Sequence, residues 1–202
     1  MKTQQKGLAL SQSKGGALSL SKGFTLLELL IVIAILAVLA TVAVLVINPV
    51  EYLRQARDSQ RIGDLASVKG AVDLYLTTVN SPDVTFNVAG NAARCMVGTV
   101  SPFLMNAGVC VTNATRTTDG TGWVLVNLGS LSSGSPLTIL PQDPTNDATY
   151  FYAYAANEAA NTYELNAKLE SVKFATDLDF DGKDGGNQPT WYEIGNAPGL
   201  NL

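Results

Sequence analysis

From Leu29 to Ile47, nineteen consecutive residues contain a single polar side chain, Thr41. About 20 helical residues of this kind cross the ~30 Å hydrocarbon core of a bilayer. A domain of this size has no use for an uncharged core helix of that length, so the run reads as a membrane span. An ordinary secretory signal has a shorter apolar part followed by a small-residue cleavage site. Here the run continues to Ile47 and meets Asn48-Pro49. Lys2, Lys6, Lys14 and Lys22 precede it without an acidic residue among them, and nothing basic follows before Arg54. This asymmetry places the amino end in the cytoplasm and the bulk of the chain outside.

The composition narrows the chemistry. The chain has 202 residues, 13 basic, 17 acidic, two cysteines and no histidine. Without histidine there is no imidazole base, relay or metal ligand. Two cysteines cannot build a four-thiolate zinc site. The net charge of −4 lacks the basic surface a nucleic-acid binder needs, so no nucleic-acid partner is expected. The four leading lysines aside, nine basic residues face 17 acidic ones, which makes the body distinctly acidic. Nothing in it has the spacing of a catalytic site, and no enzyme is expected.

Glu28 stands near the start of the apolar helix, in FTLLELLIVIAI. A carboxylate costs about 2.5–3.5 kcal/mol at the centre of a spanning helix and less near an end. Either Glu28 stays wet at the interface, or it meets a cation. Its own chain offers no basic side chain between Lys22 and Arg54, so that cation would come from another molecule or a new amino terminus.

Lys22-Gly23-Phe24-Thr25-Leu26-Leu27-Glu28 followed by an apolar helix closely resembles the start of type IV prepilins and pseudopilins. The resemblance implies that a prepilin peptidase cuts after Gly23, that the new amino group of Phe24 is methylated and that the hydrophobic segment is kept. It also implies that Glu28 pairs with the amino terminus of a neighbouring subunit during assembly. The implied partners are copies of the chain and minor pilins in a helical filament, the peptidase, the membrane, and pilus or secretion assembly machinery. The implied location is the bacterial cytoplasmic membrane, then an extracellular or periplasmic filament. A short repeat, LALSQSKG and GALSLSKG, fills residues 8–23. A cut after Gly15 would place Leu20 fifth, where the family has glutamate.

The expected organisation is a leader at 1–23, a hydrophobic helix at 24–48, an amphipathic stalk helix at 49–80 and a β-rich head at 81–202. Asn48-Pro49-Val50-Glu51 reads as a helix start, with Asn as N-cap, Pro at the first position and Glu closing a capping box. From Pro49 to about Val79 the apolar residues Leu53, Ala56, Ile62, Leu65, Val68, Val72, Tyr75, Leu76 and Val79 recur mostly three or four apart. Asp58, Arg61, Asp64, Lys69 and Asp73 take much of the remaining face, with Arg54 and Asp58 at pairing distance. Gly63 and Gly70 either let another chain approach or loosen the stalk. In the head, Trp123–Leu128, Thr149–Tyr154 and Thr162–Glu170 are strand candidates. The last alternates Tyr163, Leu165, Ala167 and Leu169 with polar residues, and the last two can form a hairpin. Gly129–Pro136 reads as a loop. The fold class is α+β: a long amino-terminal helix packed on a small antiparallel sheet.

Cys95 and Cys110 lie in a part placed outside the membrane, where two cysteines are expected to pair; the alternative is two free buried thiols. Leu140-Pro-Gln-Asp-Pro144 ahead of tyrosine-rich strands resembles the head of the major pseudopilin of type II secretion and its pilin relatives. Asp177, Asp179, Asp181 and Asp184 surround a Gly-rich turn. Acids two apart, then glycine, suit Ca²⁺, a hard ion wanting six to eight oxygens, although the twelfth position counted from Asp177 is Gln188 rather than Glu. The pseudopilin resemblance implies Ca²⁺ in a carboxyl-terminal loop; the alternative is a solvated turn whose carboxylates repel, relieved by Lys183.

The function expected is a structural subunit of a type IV pilus-like filament. The alternative within the class is the major pseudopilin of a type II secretion system that drives export. The alternative from another class is a single-pass membrane-anchored, calcium-dependent binding or adhesion domain.

Overall fold

The computed structural model describes residues 23–88, 91–98, 101–103 and 110–202. The leader and its repeat, except Gly23, lie outside the described residues. The chain divides after Ile47 into two units.

The first unit holds helix α1, Leu26–Ile47. Its segment Leu26–Val44 is long and apolar enough to cross a membrane, and none of it is buried. Thr25 begins the helix: its Oγ1 accepts the Glu28 N–H (3.1 Å). This is the first half of a Ser/Thr-x-x-Glu capping box, which satisfies one orphan donor of the first turn. Thr41, the one polar side chain in the run, donates its hydroxyl back to the Val38 carbonyl (2.8 Å) and so presents no unpaired donor.

The second unit, Asn48–Leu202, begins with helix α2, Pro49–Thr78. Asn48 holds a left-handed φ of 47° and its side chain makes no cap bond, so the expected capping box does not form here. Glu51 accepts the Val172 N–H instead (2.7 Å). Asp58, Arg61, Leu65, Val68, Ala71, Val72 and Tyr75 are buried on one helical stripe. Leu53 and Ala56, read as part of that stripe, are exposed, as are Val50 and Tyr52.

A five-stranded sheet lies against α2, in the order β2-β1-β3-β4-β5. The strands are β1 Asn91–Cys95, β2 Val111–Thr112, β3 Tyr152–Asn157, β4 Thr162–Ala167 and β5 Tyr192–Gly195. All neighbours are antiparallel except β1 and β2. The expected hairpin is β3–β4, paired from Tyr152↔Ala167 to Asn157↔Thr162. Its first strand starts and ends three residues later than the sequence suggests. The α+β class holds.

Three tyrosines tie the sheet to its cover. Tyr152 Oη donates to Asp64 Oδ2 (2.8 Å), Tyr154 Oη to the Val84 carbonyl (2.6 Å), and Tyr163 Oη to Asp73 Oδ1 (2.5 Å). Burial, then the facing carboxylates, pushes Tyr152 and Tyr163 well above the ordinary phenol range, so both remain neutral donors. The apolar core gathers Leu65, Val68 and Val72 with Trp123, Tyr152, Tyr154 and Leu165.

Trp123–Leu128 is not a strand. Trp123, Val124, Leu125 and Val126 are all buried in an irregular segment, with one isolated bridge between Asp119 and Asn127. A run buried on every side needs backbone partners without needing a ladder. Trp123 N–H finds the Thr115 carbonyl (2.9 Å) and Leu128 N–H that of Thr118 (2.8 Å). Alternation along β4 marked one apolar face, yet Glu164 and Asn166 on the other face are also buried.

Candidate assembly and processing site

Gly23 has open space around it, and a Cβ there would meet nothing within 4 Å. Phe24 is 80% exposed. The bond between them stands just ahead of Thr25, the residue that starts α1. Glu28 is exposed in the first turn of α1. Its backbone is held by Thr25, while its carboxylate makes no hydrogen bond or ion pair among the described residues. A carboxylate in the first turn is also favoured by the helix dipole. The arrangement therefore presents a carboxyl side chain at the third position of an apolar helix.

In the head, Arg61 is fully buried and organises a network that sequence reasoning missed. Its Nε and Nη2 donate to the two oxygens of Asp143 (2.7 and 3.0 Å), its Nη1 to Asp58 Oδ1 and Glu170 Oε1 (both 2.8 Å), and Nη2 also to Thr145 Oγ1 (3.0 Å). The Tyr150 ring lies under the guanidinium, 4.9 Å from its centroid. Burial alone would pull Arg61 down; Asp143, Glu170 and Asp58 outweigh it and keep the group charged. Asp58 further accepts N–H groups from Glu170 and Ser171 (3.1 and 2.8 Å). Arg54 pairs with Glu51 rather than with the expected Asp58. The Pro141-Gln-Asp-Pro144 element thus supplies one clamp on α2, and residues 170–171 supply another. A signal was available: Asp58 and Arg61 continue the helical spacing of Leu65, Val68 and Val72.

Cys95 and Cys110 form a disulfide with a Cα–Cα distance of 5.6 Å. It joins the end of β1 to the residue ahead of β2, and both cysteines are buried.

The four aspartates near the carboxyl end are placed differently from one another. Asp177 is exposed in a wide helical turn, Lys173–Asp177. Asp179 Oδ2 lies 3.4 Å from Lys183 Nζ. Asp184 accepts the N–H groups of Gly186 (2.8 Å) and Glu193 (2.6 Å). Asp181 is buried and its Oδ1 has no partner. Burial, with Asp179 and Asp184 nearby, pushes Asp181 above the ordinary carboxyl range, and burial raises Asp184 too. Among the described residues no three Asp, Glu or Cys side chains converge to hold a metal ion.

Residues 18–44 match the family model of the prokaryotic N-terminal methylation motif. No curated protein and no solved structure matches the chain. The matched stretch spans Gly23, Phe24, Glu28 and most of α1.

Proposed function

We propose that this chain, which carries the prepilin-type methylation motif of type IV pilins and pseudopilins, is a structural subunit of a type IV pilus-like filament. The precursor is cut between Gly23 and Phe24, and Phe24 is methylated. The chain waits in the cytoplasmic membrane with its head outside, then packs α1 against the same helix of other copies. The observation that carries this reading is the pairing of the motif at 18–44 with an apolar helix of which no residue from Leu26 to Val44 is buried. Such a surface is stable only in lipid or against like surfaces. The Glu28 carboxylate, unpartnered among the described residues, supports the assembly step: desolvated beside a neighbouring subunit's amino terminus, it gains a charged partner that none of the described residues supplies.

Mass spectrometry of the membrane-bound chain, made in a host with a prepilin peptidase, tests the processing step. A polypeptide starting at methylated Phe24 is expected; an intact Met1 end overturns it. Assembly itself is tested by electron microscopy of sheared surface fractions.

The Pro141–Pro144 element favours a second reading, the major pseudopilin of a type II secretion system. Deletion of the gene would then abolish export of secreted proteins and remove no long surface fibre. Calcium at Asp177, Asp179, Asp181 and Asp184 belongs to the same reading. The buried, unpartnered Asp181 Oδ1 supports it, although Asp179 would have to exchange Lys183 for the ion.

A further inference from the structure

The chain after β4 runs back along α2 to the start of that helix. Tyr163 donates to Asp73, the Ser171 N–H to Asp58 Oδ2 (2.8 Å) and the Val172 N–H to Glu51 Oε1 (2.7 Å), so successive contacts step down α2 towards Pro49. Glu51 thereby ties Val172, 121 residues further along the chain, to the first turn of α2.

This junction presents an apolar and basic surface. Val50 is 55% exposed, Tyr52 and Leu53 60% each, and Val172 52%. At 3.6 residues per turn, Val50, Tyr52 and Leu53 spread around the helix, and Glu51 between them is the one that reaches residues 172–173. Arg54 is exposed beside them. Lys173 is exposed too; its Nζ stands 5.4 Å from the centroid of the Phe174 ring and makes no ion pair among the described residues. Single exposed apolar side chains need no explanation. Four together, drawn from two distant segments, mark a contact surface.

The place of this surface in the chain identifies what covers it. The apolar span ends at Val44, and even a fully extended chain puts Val50 no more than about 21 Å from that point. The patch is thus held close to the bilayer surface by its own chain. Its composition suits that layer. Tyrosine is enriched at headgroup level, and apolar side chains flanked by lysine and arginine are typical of segments that lie in the interface. We propose that, before assembly, Val50, Tyr52, Leu53 and Val172 rest in the interfacial layer of the bilayer that holds α1, with Arg54 and Lys173 on lipid phosphates. The second unit is then seated on lipid by two distant segments and not merely tethered through α1. The proposal rests on the reading of α1 as a membrane span.

The test uses spin labels on single introduced cysteines, in the full chain reconstituted into vesicles of phosphatidylethanolamine and phosphatidylglycerol. The native cysteines are closed in a buried disulfide and do not take the label. Tyr52→Cys and Val172→Cys are compared with Ala159→Cys, exposed at the tip of the β3–β4 hairpin. The first two labels are expected to meet oxygen, which concentrates in lipid, more than a water-soluble nickel chelate; the third is expected to do the reverse. Adding Lys173→Glu is expected to shift the Val172 label towards the Ala159 value, and no shift overturns the phosphate contact. A Val172 label as open to nickel as that at Ala159, in chain that resists carbonate extraction, overturns the proposal. Chain that carbonate extracts overturns the reading of α1 on which it rests.

Discussion

Arg61 and Asp143 meet face to face, with Nε and Nη2 on Oδ2 and Oδ1 at 2.7 and 3.0 Å, in a site where neither side chain is exposed. The pair joins the middle of α2 to the turn ahead of β3. Both partners are fully desolvated, so neutralising Asp143 strips the buried guanidinium of its bidentate partner and leaves it Asp58 and Glu170 alone. Asp143→Asn is expected to lower the stability of the head by about 3–5 kcal/mol, the range for breaking a buried pair. Thermal unfolding of the full chain in detergent, followed by near-ultraviolet circular dichroism, checks it. A loss below about 1 kcal/mol, the scale of an exposed pair, would show that the pair is solvated.

Glu170 gives the same network a pH dependence. Burial raises its pKa, but hydrogen bonds from Arg57 and Arg61 more than offset this, and the group is held below the ordinary glutamate value. A depressed carboxyl contributes stability above its unfolded pKa and loses it as pH falls through the folded value. The melting temperature is therefore expected to fall from just below the ordinary glutamate range downward. In Glu170→Gln that part of the slope disappears and the neutral-pH melting temperature drops. An unchanged acid slope in this variant would rule Glu170 out as its source.

The membrane helix and the hairpin were legible because their signals are local. An uninterrupted apolar run and a Tyr-Leu-Ala alternation each declare one element without reference to anything distant. The Arg61 network was not, because charges on a helix ordinarily mark its wet face; only contact with Asp143 and Glu170, more than 80 residues away, buries them. Strand β1, Asn91–Cys95, is nearly all small or polar side chains, and it is a strand because β3 pairs with it along its whole length. Glu164 and Asn166 have the alternation of a solvated face, yet the N–H that Glu164 accepts comes from Leu202.

The disulfide closes a span of 15 residues between β1 and β2. Replacing both cysteines by alanine is expected to cost about 3 kcal/mol on the chain-entropy estimate for a loop of this size. Denaturant titration of the oxidised protein and the Cys95→Ala/Cys110→Ala variant measures it. Since both sulfurs are buried, mild reductant on the folded protein is expected to leave the bond intact.

Gly63 and Gly70 are exposed within α2, and a Cβ at either would meet nothing within 4 Å. Neither is required by the packing of its own chain. Each Gly→Ala change is expected to stabilise the head by about 0.5–1 kcal/mol. Filament yield from the same variants separates the two roles read from the sequence. A fall despite the gain in stability assigns close approach of another chain to this face; an unchanged yield leaves looseness of the helix as their effect.

Glu28 and Thr25 share the first turn of α1 but do different work, and single substitutions separate them. Thr25→Val removes the hydroxyl that accepts the Glu28 N–H. It is expected to cost the helix start about 1 kcal/mol, as a lost N-cap, while leaving the carboxylate in place. Filaments are expected to persist. Glu28→Gln keeps size and hydrogen-bonding capacity and removes only the charge. If the carboxylate pairs with a neighbouring amino terminus in the apolar filament interior, the variant leaves that cation desolvated without its partner, a penalty of several kcal/mol per subunit. Processed Glu28→Gln monomers are then expected to accumulate in the membrane without assembling, with the mature Phe24 end confirmed by mass spectrometry. Normal filaments from Glu28→Gln would refute the pairing and reduce Glu28 to a wet residue that favours the helix dipole.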